Sequence, residues 1–140
     1  MQTISTILSL TLFFFPYLGK AQITNTYHQT FKMEDSVSKV IVDISYPFQI
    51  KKWMGNTILA ETNIKITNAS RQLLDFFIQK GRYEVVRKDF GDIIKLEMKP
   101  MIRKEITTQQ GLCEEEVFFT LYIPTQIEVS TVGKITAISN

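Results

Sequence analysis

Between Thr57 and Thr67 the polar and apolar positions alternate: Ile58, Ala60, Thr62, Ile64 and Ile66 fall on one parity, and Leu59, Glu61, Asn63, Lys65 and Thr67 on the other. A period of two predicts a strand buried on one side. The same period marks Lys39–Ser45, where Val40, Val42 and Ile44 share a face. Pro47 punctuates, since proline cannot donate to a strand ladder, and Phe48–Trp53 resumes as a second strand before a turn at Gly55-Asn56. Residues 22–36 show no clear period and read as a polar leader into the fold.

After Thr67 the period changes. Ala69–Lys80 places Leu73, Leu74, Phe76, Phe77 and Ile78 on a broad helical face, with Asn68 at the N-cap position and Gly81 at the left-handed C-terminal position. A helix of about 12 residues is marginal alone, so its aromatic face is expected to pack on a sheet. Strands return at Tyr83–Arg87 and Ile93–Met98, around a hairpin turn carrying Gly91. Residues 101–112 read as a flexible loop, and Val117–Ile123, closed by Pro124, is the strongest strand. Phe118 and Phe119 are adjacent and so lie on opposite faces, as in a central strand. Gln126–Val132 and Lys134–Ile138 are two short strands around Gly133. Strands, one helix over 69–80, then strands alone do not make βαβ units. The expected fold is mainly β, an antiparallel sheet or sandwich with one short helix.

The opening residues give an address. Ile4–Leu18 is an uncharged apolar block, followed by Gly19-Lys20-Ala21-Gln22. The block falls short of the roughly 20 residues that span a bilayer, and Gly19 and Ala21 have the small-residue spacing that a signal peptidase reads. Residues 1–21 are therefore expected to be an export signal, with membrane contact only during export. The remainder is expected to be a leader at 22–36 and a single β-rich domain at 37–140.

Composition narrows the chemistry. The net charge is +2, with no clustered Lys and Arg of the kind nucleic acid demands, so no nucleic-acid partner is expected. One histidine, His28, and one cysteine, Cys113, are poor material for a hydrolytic triad or a transition-metal site. Cys113 also precedes Glu114-Glu115-Glu116, whose charges disfavour a thiolate. The acidic run itself reads as a solvated strand entrance. There is no GxGxxG, GxxxxGK[ST] or HExxH, so no catalytic residue, metal or cofactor is expected. Asn68-Ala69-Ser70 fits a glycosylation acceptor, but helix capping explains Asn68 more cheaply. Tyr46, Phe48 and Trp53 lie close in sequence, and Phe48 and Trp53 have opposite parity, so at least one ring is expected to be exposed. These three form the candidate interaction surface.

The strands Val40–Ile44, Ile50–Ile58 and Glu61–Ile66, followed later by Leu121-Tyr122-Ile123-Pro124 and Gln126–Val129, resemble the bacterial adhesin-like, auto-transporter-head-like domains of unknown function. In that family such a head passes into a β-solenoid, and Ser130–Ile138 resembles its first rung. The resemblance implies an exported, non-enzymatic envelope or surface protein of a Gram-negative bacterium. It would act in the periplasm, at the outer surface or outside the cell, with a structural, adhesive or interaction role toward an envelope or surface partner. The alternative is a small extracytoplasmic ligand-binding module using Tyr46, Phe48 and Trp53. Resembling proteins continue through many rungs, whereas this sequence stops at Asn140, as a truncated relative or a cap module would. The last strand is then expected to leave an open edge through which the chain self-associates.

Overall fold

A computed structural model describes residues 19–133 and 135–139. Residues 1–18, which hold most of the expected export signal, lie outside the described residues. The chain is mainly β, with 56% of it in strands and one short helix. Its elements are β1 (Gln22–Lys32), β2 (Lys39–Asp43), β3 (Phe48–Trp53), β4 (Thr57–Thr67), α1 (Arg71–Gln79), β5 (Val85–Phe90), β6 (Ile93–Met98), the short pair β7 (Thr107–Thr108) and β8 (Gly111–Leu112), β9 (Glu115–Pro124), β10 (Glu128–Val132) and β11 (Ile135–Ser139). The expected flexible loop at 101–112 thus contains a small hairpin, and the strand expected from Tyr83 starts at Val85.

Two sheets carry the fold, in the orders β1-β4-β9-β3-β11 and β10-β2-β6-β5. Neither closes into a barrel. Alternate residues of both sheets meet in one core: Val40 and Val42 of β2, Ile94 and Leu96 of β6, Phe48 and Ile50 of β3, and the odd-numbered residues Val117–Ile123 of β9. Burying each such side chain contributes about 1.5–3 kcal/mol, which is why the period of two dictates the sheets. β9 is central, as its doubly apolar sequence predicts, with Phe119 fully buried and Phe118 half-buried on the outer face.

The sheets are mixed rather than antiparallel. β1, β4 and β9 pair antiparallel, as do β5 and β6, but β3 runs parallel to β9, β2 to β6, β10 to β2 and β11 to β3. The parallel pairs arise because the chain switches sheets at each corner. β2 passes through residues 44–47 into β3, and β10 passes through Gly133 into β11. β10 and β11 lie beside β2 and β3, with Glu128 opposite Lys39, Val132 opposite Asp43 and Ile135 opposite Phe48.

The expected leader at 22–36 is corrected: Gln22–Lys32 is an 11-residue strand on the edge of the larger sheet. Its inner positions include Asn25 and Gln29, which hide the apolar period carried by Ile23, Tyr27 and Phe31. Gln29 is there for its amide. Val85 N–H donates to Gln29 Oε1 at 2.8 Å, and Gln29 Nε2 donates to Val85 O at 3.0 Å. A side chain thus stands in for a ladder partner between the edges β1 and β5. Arg87 of β5 extends the seam by donating to Lys32 O and pairing with Glu34 at 2.6 Å.

Helix α1 is shorter than the expected 69–80, and its N-cap is Ser70, whose Oγ accepts from Leu73 N–H at 3.2 Å. Asn68 is not the cap. It takes a left-handed conformation (φ 63°) and its amide donates to Leu112 O at 3.1 Å, tying the end of β4 to the β7–β8 hairpin. Gly81 ends the helix as expected, at φ 81°.

Candidate interaction surfaces

The three aromatic residues singled out in the sequence do not form one surface. Phe48 is fully buried and belongs to the core, because its parity on β3 points it between the sheets. Tyr46 sits half-buried in the corner before β3, its ring 5.9 Å from that of Phe119. Trp53 lies at the far end of β3, roughly 20 Å of extended chain away. There its indole N–H donates to Thr57 O at 3.0 Å and its ring stands 6.1 Å from Tyr122. The indole also lies across Gly55, where a Cβ would meet it at 2.4 Å. Trp53 therefore shapes the β3–β4 turn, and glycine at 55 makes room for it.

The acidic run divides by strand parity. Glu114 reaches Lys20 at 3.6 Å and Glu116 reaches Lys65 at 3.2 Å, both on the surface. Glu115 turns inward, which corrects the solvated reading. Its carboxylate accepts from Arg82 Nε at 2.8 Å, Arg82 Nη2 at 2.6 Å and the Tyr83 hydroxyl at 2.7 Å. Arg82 is 5% exposed and Tyr83 fully buried. Burial works against the Glu115 charge, but the hydrogen bonds from Arg82 and Tyr83 outweigh it and hold the carboxyl below its ordinary value. The Tyr83 hydroxyl is pushed up by burial and by its bond to the carboxylate. Arg82 Nη2 also donates to Lys104 O at 2.9 Å, so the network ties three parts of the chain together and reads as a structural clamp. Nothing in the sequence pattern distinguishes Glu115 from its neighbours except parity on β9.

The sole histidine stands on the outer face of the larger sheet. His28 Nε2 lies 3.3 Å from Glu61 Oε2, Asn63 donates to Glu61, Thr26 donates to Asn63, and Gln49 donates to Thr120 on the next strands. This is a polar ladder across neighbouring strands. Cys113 is buried, with Sγ 3.2 Å from Asn68 O. Among the described residues no three of His, Cys, Asp and Glu come together as a metal site would require.

The two ends of the paired sheets differ. At one end the edges β1 and β5 are joined by Gln29 and Arg87, as described above. At the other, β10 and β11 are, among the described residues, edge strands of their respective sheets, consecutive in the chain and both parallel to their neighbours. On β10, Glu128 N–H donates to Ser38 O at 3.1 Å. Since backbone groups alternate along a strand, residues 128, 130 and 132 face β2, whereas the N–H and C=O of Val129 and Thr131 point away from it. Comparison with protein-family models, characterised proteins and solved structures finds no match.

Proposed function

We propose that this chain is an exported, non-enzymatic module of the bacterial envelope or surface, sealed at one end and built to add strands at the other. The observation that carries the reading is the open pair of parallel edges, β10 and β11, opposite a seam closed by Gln29 and Arg87. Exposed edges are normally blunted by charge, bulges or cover because they recruit other strands. β5 follows that rule, with Arg87, Lys88 and Asp89 along it. β10 carries Val129, Ser130 and Thr131 between Glu128 and Val132, with one charge in five residues.

The stacking of β10 and β11 on β2 and β3 supports reading them as successive rungs, in keeping with the adhesin-like resemblance. In this reading the helix-bearing half is a cap, and the role is structural or adhesive. The occupant of the open edge is a second copy of the chain, whose own β10 and β11 edges offer strands of matching length about a two-fold axis. The apolar block at the N-terminus supports export to the periplasm, the outer surface or beyond. Among the described residues no helix is long and apolar enough to cross a membrane.

Sedimentation velocity on purified residues 22–140 tests the edge. Association that rises with concentration is expected, and Thr131→Pro should weaken it about tenfold or more. That proline removes an outward N–H without costing a bond to β2. A chain that stays monomeric at high concentration, or a Thr131→Pro variant that associates as well as the parent, would contradict the proposal.

A further inference from the structure

Helix α1 and the segment 101–107 line an open groove of about 530 Å³, within the range of small-ligand sites. One helical stripe, Leu73, Phe76 and Phe77, forms one wall and ends in Lys80, a run of about 10 Å along the axis. The opposite wall presents Met101, Ile102 and Ile106. Phe76 is 48% exposed and Ile102 83%. Met54, Phe90, Leu112 and Val132 are exposed one at a time outside this groove, whereas Phe76, Met101 and Ile102 gather on it.

The segment is not loosely placed. Arg103 donates to Arg82 O and Lys99 O at 3.0 Å each, and Arg82 Nη2 donates to Lys104 O at 2.9 Å. These bonds hold the backbone on either side of Ile102 while its side chain faces solvent. Charge completes the picture. Among the described residues neither Lys80 nor Lys104 has a carboxylate partner, and Lys80 lies over the Phe76 ring at 5.6 Å. Arg82, at the base, is already neutralised by Glu115. Glu105 is the sole carboxylate of the lining.

We propose that this groove binds an anionic amphiphile, a single acyl chain ending in a carboxylate. The chain lies between the α1 stripe and Met101, Ile102 and Ile106, and the head group meets the ammonium groups of Lys80 and Lys104. Apolar side chains on both walls suit a single chain, which can touch the two at once, over the face of a bilayer. The site is independent of the open edge.

The test is a fluorescence titration of the purified protein with dansyl-undecanoic acid, followed by displacement with decanoate or decanol. Saturable, blue-shifted emission is expected, with decanoate displacing the probe about tenfold or more better than decanol, since only the former carries the charge. Lys80→Glu combined with Lys104→Glu should weaken probe binding to a similar degree with the unfolding midpoint unchanged. Phe76→Asp should abolish binding. Absence of a saturable signal, or equal displacement by decanol, would overturn the proposal. So would co-sedimentation with phosphatidylglycerol vesicles without binding of the monomeric probe, which would assign the patch to a bilayer.

Discussion

Thr62 occupies an inner position of β4 between Ala60 and Ile64, fully buried, and its Oγ1 has no hydrogen-bonding partner. A buried hydroxyl left unpaired costs free energy that an apolar group of the same shape does not. Thr62→Val should therefore stabilise the fold by about 1 kcal/mol, read as a rise of several degrees in the unfolding midpoint. Glu115 makes the opposite case. Its carboxyl lies below the ordinary 4.5 in the folded chain, so its contribution is complete well above pH 4.5 and is lost as pH falls through the lower folded value. The unfolding midpoint should drop more steeply between about pH 5 and 3 in the parent than in Glu115→Gln. Glu115→Ala should cost on the order of 3 kcal/mol at neutral pH, because it leaves the buried Arg82 uncompensated. The alternation of β4 announced Thr62 as an inward residue. The clamp was hidden, because Arg82, Tyr83 and Glu115 meet through long-range packing that no local period records.

At the scale of elements, β3, β4, β6 and most of β9 follow their sequence period closely, since an inward apolar set leaves a strand one workable register. β1 escaped because its inward set is interrupted where Gln29 does the work of a backbone. Gln29→Ala should leave the Val85 N–H and C=O unpaired, at a cost of about 1–3 kcal/mol. Amide hydrogen exchange at Val85 should then accelerate while that at Ile94 and Leu96, deep in the core, does not. Unchanged protection at Val85 would show that the seam does not depend on this side chain. The helix was legible in its face and its glycine stop, but its cap moved from Asn68 to Ser70. Asn68 was taken by the tie to Leu112 O, a contact 44 positions away.

For the whole molecule, the β-rich class with one helix was readable, while the parallel pairings were not. Parallel neighbours need the chain to change sheets at its corners, and no local signal reports which distant strand it then meets. The candidate surface of Tyr46, Phe48 and Trp53 failed for a related reason: proximity in sequence along a strand separates residues in space. Export makes its own prediction. The protein recovered from its native source should have an intact mass beginning at Gln22, and soluble material retaining Met1 would contradict the address. Residue-resolved amide exchange across a concentration series of residues 22–140 tests the open edge most directly. Protection at Val129 and Thr131 should rise with concentration while Ser130, already bonded toward β2, stays protected throughout. Outward amides that exchange freely at every concentration would contradict it.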